Sequence, residues 1–151
     1  MLARTHLAFG FLAAIWLKPM IVTNNTYIFL ALFLLGTILP DLDNEHSLIN
    51  SKIPIIPHIL AIFLKHRGIF HSIYLAILFP GLVWFFINKS YGVALFLGYT
   101  SHLLIDGFTK AGVNLLHPLS HFKIEGPIAT GKIKEHVLLA ILIALIVIKL
   151  F

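Results

Sequence analysis

The sequence predicts an all-α integral membrane bundle of about five helices, with a polar His/Asp site at the cytoplasmic helix ends. Three observations carry that prediction. The 151 residues are 59% hydrophobic and 11% charged, and the mean hydropathy of +0.96 lies far above that of a soluble domain. The apolar residues gather into five stretches near membrane-spanning length. Three of the six acidic residues, Asp41, Asp43 and Asp106, stand close to histidines in short clusters inside those apolar surroundings. The length suits one domain covering residues 1–151.

The first stretch, residues 2–17, is stopped by Lys18-Pro19. Arg4 ahead of an apolar run also resembles a secretory signal, but Trp16-Leu17-Lys18-Pro19 offers no small-residue cleavage pattern, so a retained helix is expected. The second stretch, residues 27–39, follows Asn24-Asn25-Thr26, a helix-start signal. The third covers residues 69–87, the fourth 91–106 and the fifth 136–150. The second would be only about 20 Å long at the α-helical rise, so it must tilt little or sit in a thinned bilayer. Residues 53–64, with Pro54 and Pro57, read as a short interfacial or re-entrant piece.

Five successive crossings put the N-terminus, the 40–68 loop and the 107–135 loop on one side. That side carries Arg4, Lys52, Lys65, Arg67, Lys110, Lys123, Lys132 and Lys134, against Lys18, Lys89 and Lys149 on the other. The basic side is expected in the cytoplasm, in the inner membrane of the cell. The net charge of +5 therefore sets topology, and no nucleic-acid partner is implied. No cysteine is present, which excludes disulfides and thiolate ligands and leaves nitrogen and oxygen as metal donors.

The same topology brings His6, Asp41, Asp43, His66, His71, His102 and Asp106 to one membrane face. His102 and Asp106 are four apart and share a helix face. Imidazole and carboxylate suit Zn²⁺ or a similar ion, although Asp106 could equally orient His102 or hold water. Asp41 and Asp43 follow Pro40, which should push Leu39 out of the helical region. In an extended turn both would point the same way and repel one another without a cation. Asn44 and Glu45 beside them also suit a solvated loop start. His66 and His71, with Gly68 between, could face one point from a turn. Arg67 suits bidentate phosphate binding or an ordinary positive flank. Ser72, Thr100 and Ser101 are candidates to fix imidazole tautomers. His46, His58, His117, His121 and His136 have no partner at ligand spacing.

The chain resembles the YdjM-like family of membrane-bound metal-dependent hydrolases. The resemblance rests on Thr5-His6 with Gly10, Leu39-Pro40-Asp41-Leu42-Asp43, His66-Arg67-Gly68-Ile69-Phe70-His71-Ser72, Gly98-Tyr99-Thr100-Ser101-His102-Leu103-Leu104-Ile105-Asp106, Thr109 to Val113, and Thr130-Gly131 with Glu135. His117-Pro118 stands where relatives tend to carry Trp-Pro. The family is similar in its His and Asp run to zinc-dependent phospholipase C. The resemblance implies metal-assisted hydrolysis of a phosphoester in a membrane lipid or lipid-linked substrate.

The expected site therefore has His6, Asp41, Asp43, His66, His71, His102 and Asp106 as ligands of one or more divalent metals, with Zn²⁺ favoured. Seven donors exceed the four of one tetrahedral zinc, which favours two ions. Asp41 or Asp43 would bridge the ions or act as base, and Asp43 and Arg67 are the expected catalytic residues. Ser72, Ser101 and Glu135 would support the ligands from behind. The alternative expectation is a non-enzymatic membrane protein with a structural metal cluster or an ion or proton relay.

Overall fold

The computed structural model describes residues 1–23, 25–43 and 69–151, with Leu42 and Asp43 described by backbone alone. Five α-helices organise them: α1 (Ala3–Leu17), α2 (Thr26–Ile38), α3 (Ile73–Phe86), α4 (Lys89–Gly107) and α5 (Ile133–Leu150). Turns of 3-10 helix cover Lys18–Met20 and Leu39–Asp43. No strand occurs among the described residues. Two isolated bridges, Thr109 with Ile128 and Val113 with Ile124, fold the α4–α5 connection back on itself.

Local chemistry accounts for the helix starts. The Asn25 side chain accepts hydrogen bonds from the Tyr27 and Ile28 amides, satisfying two donors that have no partner within α2. Asn88 does the same for α4 through the Ser90 amide. At the end of α2 the structure departs from expectation. Leu39 remains helical (φ −52°, ψ −42°) and Pro40 lies in the following 3-10 turn. Proline is tolerated there because an amide in the first turn needs no helical acceptor and its fixed φ fits. The backbone from Leu39 to Asp43 is thus a 3-10 turn and not the extended turn expected.

No helix of the described residues is long and apolar enough to cross a membrane, which corrects the expectation of five full spans. α1, α2 and α3 contain 15, 13 and 14 residues, about 20–23 Å of helix against a hydrocarbon core of about 30 Å. α4 and α5 are longer, but α4 carries Lys89, His102 and Asp106, and α5 carries Lys134, Glu135 and Lys149.

α4 is the central element. α2 and α3 pack on it, and α1 touches α2, α4 and α5. Phe29, Phe33, Ala14 and Ala94 form one buried cluster. A second, of Ala76, Tyr99, Leu103 and Val113, lies beside the polar residues. The α2–α4 contact is backbone-close. A Cβ on Gly98 would overlap the Phe33 carbonyl, and one on Gly36 would overlap the backbone of Leu95. The outer surfaces of α3 and α5 stay apolar and exposed, with Ile77, Phe85, Ile141 and Ile148 among their residues.

Candidate metal centre

Four separate parts of the chain deliver ionisable groups to one place. His6 comes from α1, Asp41 from the 3-10 turn after α2, and His71 from the turn ahead of α3. His102 and Asp106 come from α4 and lie on one face, with Nε2 3.4 Å from Oδ2. Asp106 is the common neighbour. Its Oδ1 lies 3.3 Å from His6 Nε2 and accepts from the Met1 amino group at 2.9 Å, while its Oδ2 lies 3.6 Å from His71 Nε2. Asp41 Oδ1 stands 3.9 Å from both His71 Nε2 and His102 Nε2. The His6 and His102 rings stack with centroids 3.9 Å apart and planes 6° apart, and His71 meets His102 edge-on.

Each position has a local cause. The hydroxyl of Tyr99 donates to the Phe70 carbonyl, and the Ser72 hydroxyl donates to the Ile69 carbonyl at 2.6 Å. Both hold the short turn that presents His71. His102 Nδ1 lies 2.8 Å from the Thr37 carbonyl oxygen. A carbonyl only accepts, so Nδ1 carries a proton and Nε2 is the ring nitrogen that faces the carboxylates.

The sequence reading missed Thr37. Its available signal was one polar residue in the apolar run before Pro40, but the acting group is a main-chain carbonyl that no side-chain pattern reports. Ser72 and Ser101, expected to fix imidazole tautomers, bond elsewhere: Ser101 Oγ donates to the Gly98 carbonyl at 2.7 Å. Short hydroxyls one turn along a helix or at its start are closer to their own backbone than to a neighbouring ring. Glu135 stands away from the imidazoles' hydrogen bonds. Its Oε1 accepts from the Leu2 amide (2.6 Å) and Thr5 hydroxyl (2.9 Å), and its Oε2 from the Gly131 amide (2.6 Å). It fastens the start of α5 to the start of α1. The side chain of Asp43, together with His66, Arg67 and residues 53–64, lies outside the described residues.

The donor set fits a cation. His6–Asp41–His102 and His71–His102–Asp106 are two groups whose ligand atoms lie within 4.8 Å of one another. His6 Nδ1 and Nε2, His71 Nδ1 and His102 Nε2 are buried with no hydrogen-bond partner among the described residues, an arrangement that costs free energy unless another group satisfies it. No Lys or Arg side chain pairs with Asp41 or Asp106 among the described residues; the Met1 amino group and the imidazoles are their neighbours. Imidazole nitrogen and carboxylate oxygen without thiolate are donors suited to Zn²⁺ and related first-row ions.

A profile of the family described as YdjM inner membrane protein matches residues 1–150. The protein YvsG of Bacillus subtilis (strain 168) is 33% identical over 113 residues, covering 70% of this chain and 67% of that protein. The inner membrane protein YdjM of Escherichia coli (strain K12) is 30% identical over 131 residues, or 78% of this chain and 66% of the relative. The chain thus spans about two thirds of the length of these relatives. No solved structure matches it significantly.

Proposed function

This chain belongs to the YdjM inner membrane protein family, and from that premise we propose that it is a membrane-bound metal-dependent hydrolase acting on a phosphoester of a lipid or lipid-linked substrate. One observation carries the reading: three imidazoles and two carboxylates from four distant stretches converge, with ring nitrogens buried and unpartnered. His6, Asp41, His71, His102 and Asp106 would hold one or two divalent ions, Zn²⁺ being the one their donors suit best. A bound cation supplies Lewis acidity toward a phosphoryl oxygen and acidifies water.

The protein's own groups do the rest. The Thr37 carbonyl accepts from His102 Nδ1 and so orients the ring, which would leave Nε2 to an ion. Asp106 turns Oδ1 toward His6 and Oδ2 toward His71 and His102, so either oxygen would be available to an ion held by those imidazoles. Asp41, with Oδ1 3.9 Å from His71 Nε2 and His102 Nε2, would hold an ion with them or serve as the base. Asp43, His66 and Arg67 keep their roles on sequence spacing, with Asp43 a ligand or base, His66 a ligand and Arg67 holding a phosphate oxygen.

A structural metal cluster is the competing reading. It is favoured by the His6–His102 stack, whose two residues are 2% and 0% exposed. Metal analysis and turnover on the same detergent-purified samples separate the two. The wild type should carry one to two zinc or manganese ions per chain and hydrolyse some member of a phospholipid panel. Asp106→Asn and His71→Ala should each lose metal and at least about 100-fold in turnover. Metal without hydrolysis of any phosphoester would favour the structural cluster, and undiminished turnover in both variants would retire the mechanism.

A further inference from the structure

The α4–α5 connection and the start of α5 carry a second feature of different chemistry. Lys110, Lys132 and Lys134 line a recess of about 280 Å³ whose remaining walls are Pro127, Ala129 and Ile133. All three lysines are exposed, and none forms an ion pair among the described residues. No carboxylate lines the recess. The nearest acid along the chain to Lys132 and Lys134, Glu135, is buried and already accepts three hydrogen bonds. The geometry of the lysines is set by the backbone. The Lys110 amide donates to the Ile128 carbonyl at 2.9 Å, which fixes the 109–113 strand of loop against the segment leading to Lys132.

We propose that this recess binds the headgroup of an anionic phospholipid, at a site separate from the His/Asp centre. Three exposed lysines border one recess and have no ion-pair partner among the described residues, so they offer uncompensated charge complementary to a phosphate, and a free phosphate and a lipid headgroup share that chemistry. Two observations favour the lipid. The walls between the lysines are apolar, which suits the glycerol and upper acyl carbons. Ile133, which lines the recess, is 81% exposed, and Phe108 and Phe122 on the α4–α5 connection are 57% and 70% exposed, so the segments that carry the lysines also expose large apolar side chains. Lysines whose stems lie along apolar surface while their heads reach phosphates are characteristic of a membrane interface. The site does not depend on hydrolysis and would serve to seat the α4–α5 connection on the lipid surface.

The test uses the full chain in a non-ionic detergent, with dioleoylphosphatidylglycerol, dioleoylphosphatidylcholine or inorganic phosphate added. Retained lipid is counted by native mass spectrometry and the unfolding midpoint is followed in parallel. Phosphatidylglycerol should be retained and raise the midpoint, phosphatidylcholine should do neither, and added salt should weaken the effect. The triple variant K110Q/K132Q/K134Q should fold normally and lose phosphatidylglycerol affinity by about fivefold for each lysine removed. Lys18→Gln, on a different turn of the chain, should retain it. Equal retention of both lipids, or undiminished binding by the triple variant, would overturn the site. An equal midpoint shift with inorganic phosphate alone would overturn the lipid assignment. None of these outcomes bears on metal content or turnover.

Discussion

Two buried acids, Asp106 and Glu135, illustrate how neighbours assign work to a side chain. Glu135 is surrounded by backbone and hydroxyl donors that saturate it, and its role is to join two helix starts. Asp106 faces the Nε2 atoms of His6 and His102, which have no hydrogen-bond partner among the described residues, in a group positioned to hold a cation. Replacing each acid by its amide should therefore have different consequences. In Glu135→Gln an NH₂ group must face an amide donor, which should cost about 1–3 kcal/mol. Thermal unfolding in detergent should register that loss while metal content stays at the wild-type level. Metal loss as deep as in Asp106→Asn would show that the two carboxylates act as one unit.

At the scale of elements, the centre depends on how closely α2 and α4 approach. The Thr37 carbonyl reaches His102 because Gly36 and Gly98 remove the side chains that would hold these backbones apart. Gly98→Val places a branched side chain against the Phe33 carbonyl, which is main chain and cannot rotate away. The expected cost is about 1–3 kcal/mol of stability. Metal affinity should also fall by about tenfold or more, because the group that orients His102 moves with α2. Gly81→Ala is the control, since a Cβ there meets nothing within 4 Å. Equal metal binding by Gly98→Val and Gly81→Ala would detach the helix contact from the centre.

For the whole molecule, the exposed apolar faces of α3 and α5 and the family of inner membrane proteins agree on location. Charge predicts the orientation, with the α4–α5 connection and its lysines on the cytoplasmic side. Because the chain has no cysteine, single cysteines report position without background. Lys123→Cys should resist an impermeant maleimide added outside intact cells, and Lys89→Cys, at the start of α4, should react. The reverse pattern would invert the orientation.

Composition and spacing made much of the architecture legible. Helical segments expected at 2–17, 27–39, 69–87, 91–106 and 136–150 correspond to α1 through α5 within a few residues, because hydrophobic runs and cap residues act locally. The i, i+4 relation of His102 and Asp106 is likewise a property of one helix. Tertiary structure decided the rest. Leu39 stayed helical before Pro40 because the following 3-10 turn could use proline, and the ring of His102 was oriented by a carbonyl 65 positions away. Which donors share an ion follows from distances between helices, and those distances come from packing rather than from any one segment's periodicity.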